Sequence, residues 1–111
     1  MAYNLSGTWQ NINMKDGDTV IILHLRDNLV LIVGYCDGVI SFRNIGIGMI
    51  EEDCLSVEWT DLPDSKGTER GIAHCAKIKI ISNSELNHIS DVILPSMKKS
   101  TNKSYGNWIK K

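Results

Sequence analysis

The chain of 111 residues is short of most features that would commit it to a specialised class. It has no net charge to speak of, a formal −1, so no strongly basic face is forced and nucleic-acid binding loses its simplest signature. It has no stretch resembling a membrane span: a run such as Val20 to Leu23 is soon followed by His24 and Arg26, whereas a spanning helix needs about 20 apolar residues. The opening residues, MAYNLSGTW, offer neither a basic nor an apolar leader region, so no secretory signal is expected. Cys36, Cys54 and Cys75 are odd in number and widely spaced, which fits free thiols in a reducing compartment and makes the cytoplasm the expected location. On that expectation the glycosylation sequons at Asn4 and Asn102 are chance matches. There is no internal repeat of domain size, no low-complexity tract and no linker. A hydrophobic fraction of 42% with 23% charged residues is ordinary for a globular protein and disfavours disorder. One domain over 1–111 is expected.

Helical periodicity with caps at both ends is also missing. Short Val/Ile/Leu/Thr-rich stretches alternate instead with Gly, Asp, Asn and Ser, the pattern of strands and tight turns. The predicted strands are Gly7 to Asn13, Thr19 to Arg26, Leu29 to Tyr35, Val39 to Arg43, Ile47 to Glu51, Cys54 to Thr60, Ile72 to Ile81, Glu85 to Ile93 and Tyr105 to Lys110. Turns are expected at Asp16-Gly17, RDN, Asp37-Gly38, EED and SNS, with "NIGIG" breaking or bending the fourth stretch. The longest loop falls at 61–71, and a turn or short helix near 90–99 is limited by Pro95. Strands at this spacing predict an all-β fold, an antiparallel up-and-down meander closing into a small eight- or nine-stranded barrel.

Side-chain alternation assigns faces. Between 72 and 81, Lys77 and Lys79 oppose His74, Ala76, Ile78 and Ile80; between 54 and 60, Leu55, Val57 and Trp59 oppose Ser56, Glu58 and Thr60. "TVIILHL" and "LVLIVGY" are apolar on both faces, as where both sides are covered. Residues 20–33 are therefore expected to meet another subunit or a terminal segment on the outside.

Two Gly-x-Trp units, "SGTWQN" and "YGNWIKK", lie near the termini. Glycine two residues before an indole allows a tight entry at a barrel end, which the indole then plugs, so Gly7, Trp9 and Trp108 are assigned to barrel closure. With Gly7 and Trp9 at its positions, the first unit resembles the N-terminal Gly-x-Trp of calycin-type barrels, the lipocalin, fatty-acid-binding and avidin group. The resemblance implies a basic residue of the last strand over the indole. Lys110 and Lys111 are the candidates there, and they replace the usual arginine, since Arg26, Arg43 and Arg70 belong to other segments. It also implies a small apolar or amphipathic ligand inside the barrel, and no catalysis. None of the avidins' ligand residues matches here, so biotin binding does not follow.

Chemistry-bearing residues are sparse. His24, His74 and His88 and the three cysteines show no Cys-x-x-Cys, His-x-x-x-His or Cys-x-x-His spacing, so neither a metal nor another cofactor is expected. His74 and Cys75, adjacent on a strand, point to opposite faces. No nucleophile signature flanks any cysteine. "GIGMIEED" lacks the following helix that a phosphate cradle uses. Two residues stand out. His74 faces inward, where a polar group needs a partner, and Trp59 ends a strand beside the longest loop, a common ligand-site arrangement. Each has a plainer reading, a histidine bonded within the barrel and an indole in the core. Tyr35 and Phe42 flank the Asp37-Gly38 hairpin and join the candidate ligand-binding set. The expected function is non-enzymatic small-molecule binding in the open end of the barrel. The alternative is an interaction or homo-oligomeric assembly module with a packed interior.

Overall fold

A computed structural model describes residues 3–11, 18–36, 41–61, 73–94, 96–99 and 106–111. Nine strands run in chain order: β1 Gly7–Asn11, β2 Asp18–Arg26, β3 Leu29–Cys36, β4 Ser41–Glu51, β5 Cys54–Asp61, β6 Ala73–Ser82, β7 Glu85–Ile93, β8 Lys98–Lys99 and β9 Gly106–Lys110. Every pairing is antiparallel. Each of the first seven strands pairs with its successor, β9 joins β7 to β1, and the sheet closes into an eight-stranded barrel. The two-residue β8 lies along the same edge of β7 as β9, one ladder using Val92 and Ile93, the other Glu85 to His88. No helix occurs among the described residues, and no helix is long and apolar enough to cross a membrane. The expected all-β meander is the observed fold.

The turns RDN, EED and SNS are two-residue connections: Asp27–Asn28, Glu52–Asp53 and Asn83–Ser84. All three lie at one end of the barrel, together with both described chain ends. The connections 12–17, 37–40, 62–72 and 100–105 lie outside the described residues. Asp37-Gly38 and the long loop expected after Asp61 fall among these.

The tight-turn end is sealed. Leu5 is fully buried, and the indole Nε1–H of Trp9 donates to its carbonyl at 2.9 Å. The N-terminal segment is pinned across the barrel floor by three more bonds. Leu5 N–H donates to His24 Nδ1, the His24 amide donates to Ser6 Oγ, and Asn4 N–H donates to Asn83 Oδ1. Lys110 arrives from the last strand as expected for a basic partner: its Nζ lies 5.3 Å from the Trp9 ring centroid and donates to the Asn4 carbonyl. Gly7 makes this crossing feasible. Its φ is +150°, and a Cβ there would stand 3.1 Å from Lys110 Cδ. Trp9, Ile22, Val30, Leu55, Ile78, Leu86 and Trp108 fill the interior as one hydrophobic cluster.

β4 departs from expectation. "NIGIG" neither breaks nor bends it out of the sheet: Ser41 to Glu51 is one strand, paired with β3 from Ser41 to Met49 and with β5 from Asn44 to Glu51. Gly46 is an inward position directly opposite Trp59, where a Cβ would come within 2.5 Å of the Trp59 Cβ. Its missing side chain is space that the indole uses, not a chain reversal.

Candidate functional site

The interior changes character along the barrel axis. Toward the end opposite the tight turns, buried polar side chains replace apolar ones: Asn11 on β1, His74 on β6 and Asp91 on β7, with His88 below Asp91 on the same strand. Trp59, near the end of β5, is partly buried and packs against the core.

His74 and Trp59 are cross-strand neighbours in the β5–β6 ladder, and their inward side chains stack. The ring centroids are 4.0 Å apart with planes 10° from parallel. Across the other ladder of β6, Asp91 supplies the polar contact, its Oδ1 2.9 Å from His74 Nδ1. An ionised carboxylate only accepts, so against it Nδ1 carries the ring proton and a neutral His74 keeps its acceptor at Nε2. The ring is thus held on its face by an indole and on its edge by a carboxylate. His88 completes the group: its Nε2 lies 3.1 Å from the Ser90 carbonyl and 3.6 Å from Asp91 Oδ2, and its ring meets Trp108 edge-on at 5.8 Å. The Asp91 side chain has no exposed surface.

The local reason for this grouping is a β-bulge. Ser90 pairs with Lys77 and His88 with Ile78, so one step on β6 spans two on β7 and Ile89 is the extra residue. Strict alternation would send His88 and Asp91 to opposite faces. The bulge turns both inward and leaves Ile89 exposed.

Of the residues singled out in sequence, the structure brings Trp59 and His74 into contact and places Gly7 and Trp9 at the sealed floor. Trp108 is buried between Asn11 of β1 and Leu86 of β7 in the ladders. Tyr35 and Phe42 are opposite each other in the β3–β4 ladder at the polar end; their side chains lie outside the described residues. His88 and Asp91 were missed by sequence reasoning, because the signal that joins them is the bulge and not a spacing. Among the described residues, no cluster of three or more His, Cys, Asp or Glu is arranged to hold a metal ion. Cys54 and Cys75 are free thiols, and Cys75 is only partly buried while its neighbour His74 is buried, as opposite faces require. An open groove at the sealed end is lined by Tyr3, Asp53, Lys79 and Ser82.

No protein-family model, curated protein or solved structure matches this chain.

Proposed function

We propose that this protein is a non-enzymatic binder of a small amphipathic molecule, held at the polar end of the barrel over Trp59. The observation that carries this reading is the Trp59–His74–Asp91 assembly. An apolar filling of the same volume would often be as stable as a buried imidazole–carboxylate pair, or more so. A barrel that spends interior space on one, beneath a partly exposed indole, is equipped to recognise something there. The indole offers a flat apolar surface, and the imidazole stacked on it, held in place by the carboxylate, adds a fixed polar group beside that surface. Ligand pockets combine the two in this proportion, mostly apolar wall with few fixed polar groups. The Gly7–Trp9–Lys110 closure supports placing the fold with the calycin-like barrels, in which such binding is the common theme. The free thiols of Cys54 and Cys75 support a reducing, cytoplasmic setting.

The test is a titration with anilinonaphthalene sulfonate, an aromatic anion whose emission rises in apolar sites. Saturable binding that Trp59→Ala and His74→Phe each abolish, with far-UV circular dichroism unchanged, is the expected result. Binding unaffected by both substitutions would refute the reading. A second reading, assembly through the outer wall, is favoured by the apolar character of β2 to β4.

A further inference from the structure

The outer wall of this barrel is not uniform. On β5 and β6 it is wet: Ser56 and Glu58 face outward beside Lys77 and Lys79, and Lys77 Nζ donates to Ser56 Oγ at 2.6 Å. Across the middle of β2, β3 and β4 it is apolar. The ladders align Ile21 with Val33 and Ile45 in one row, and Leu23 with Leu31 and Ile47 in the next. A third row sets Arg26 beside Leu29 and Met49, with Leu25 the extra residue in the bulge between His24 and Arg26. The nine apolar side chains form a patch three strands wide, with Arg26 at its corner. Leu23, Leu25, Ile45, Ile47 and Met49 remain 40% to 55% exposed.

We propose that this face is the interface of a homodimer, with a second copy of the chain laid sheet to sheet upon it. Two features identify the occupant. The first is extent. Strand spacing of about 4.8 Å and same-face spacing of about 6.7 Å give the patch a footprint of about 300 Å². That is a fitting core for an interface of about 800 Å² per partner, the polar rim coming from β1, β5 and the turns. An uninterrupted apolar centre is the mark of homodimer interfaces, which are more apolar than encounters between unlike proteins.

The second feature is charge at the corners. At the sealed end the patch is flanked by Arg26, ending β2, and by Glu51, ending β4, both exposed. A two-fold axis running along β3 lays β2 of one protomer over β4 of the other. Each Arg26 then faces the partner's Glu51, and the sheets meet in the aligned manner of β-sandwiches. The chain carries both halves of the pair on the two outer strands of the patch. The face is therefore complementary to itself.

Sedimentation velocity on the full chain, from low to high micromolar concentration, tests this. A reversible dimer is expected, with Ile47→Lys raising its dissociation constant more than tenfold while the circular dichroism stays that of the parent. If Ile47→Lys fails to fold, Leu23→Gln on the neighbouring strand carries the same expectation. Arg26→Glu and Glu51→Arg should each weaken the dimer several-fold, and the double exchange should restore it. A chain that stays monomeric overturns the proposal, as does a dimer indifferent to Ile47→Lys and Leu23→Gln. Failure of the double exchange to restore association overturns the two-fold arrangement. A monomer that floats with phosphatidylcholine vesicles assigns the face to a lipid surface instead.

Discussion

His88 and Asp91 stand three residues apart on β7 and both point into the barrel, a relationship that alternation along a strand forbids and that the extra residue Ile89 creates. The bulge delivers a fully buried carboxylate to a point between two imidazoles, one at 2.9 Å and the other at 3.6 Å. Bulges commonly re-aim a side chain at sites where chemistry matters more than ladder regularity. Here the irregularity and the polar cluster occupy the same few residues, and Trp59 covers the far face of the group.

The cost of disturbing that cluster is asymmetric. Asp91→Ala leaves the buried His74 imidazole without its acceptor and should lower stability by about 1 to 3 kcal/mol. Replacing both members, as His74→Leu with Asp91→Leu, removes the need along with the acceptor and should recover most of that loss. Urea denaturation of the two single variants and the double gives the coupling directly. Additive losses would show that the pair is not the energetic unit described above. The double variant should also be stable yet unable to bind the fluorescent probe, which separates the cluster's use from its contribution to folding.

Several elements were readable from residue pattern because each carried a local cause. Asp27–Asn28, Glu52–Asp53 and Asn83–Ser84 punctuate the chain where turns occur, and alternation between Lys77, Lys79 and Ile78, Ile80 gave β6 its faces. Gly7-x-Trp9 pointed to a floor with a basic residue over it, and Lys110 is there. The failures also share a cause. "NIGIG" reads as punctuation, although the role of Gly46 is to leave room for a residue on another strand, and nothing within that stretch reports Trp59. Asp91 was assigned to no site because its inward direction depends on how β7 pairs with β6, a long-range property. Residue type and spacing report what the backbone does to itself, whereas the site is made by what neighbouring strands do to each other.

Gly46→Ala tests the space argument. The added methyl group would fall 2.5 Å from the Trp59 Cβ and 2.7 Å from the Glu58 carbonyl oxygen, both on the paired strand. Backbone cannot yield easily, so the expected cost is about 1 to 3 kcal/mol, the usual range for overpacking. Trp59 should be displaced from His74 as well. Near-ultraviolet circular dichroism, which senses the indole's surroundings, should change more than far-ultraviolet circular dichroism. A variant with parental stability and an unaltered near-ultraviolet spectrum would contradict the packing described.

At the floor, Gly7→Ala places a side chain where φ is +150° and where the Lys110 stem crosses. The conformation alone should cost about 1 to 3 kcal/mol. The Lys110 stem is flexible, so the double variant Gly7→Ala with Lys110→Ala should relieve the contact but not the backbone strain. Thermal denaturation of the pair distinguishes the two contributions: a full recovery in the double variant would mean that crowding, and not φ, limits this position.

His24 provides the last test, because its two ring nitrogens have different duties. Nδ1 lies 3.2 Å from the Leu5 amide, which can only donate, so Nδ1 accepts. Nε2 lies 2.8 Å from the Asp27 carbonyl, which can only accept, so Nε2 carries the proton. The neutral ring is therefore locked as the Nε2–H tautomer, and long-range nitrogen–proton correlation spectra should show that pattern for His24. His24→Leu should cost about 1 to 2 kcal/mol for the two lost bonds at this half-exposed site. The Leu5 amide should then exchange with solvent faster, while the Trp9 indole proton, bonded to the Leu5 carbonyl, is affected only through loosening of the same segment. An Nδ1–H tautomer would require the Leu5 amide to find another acceptor, and the account of how the N-terminal segment is fastened across the floor would fail with it.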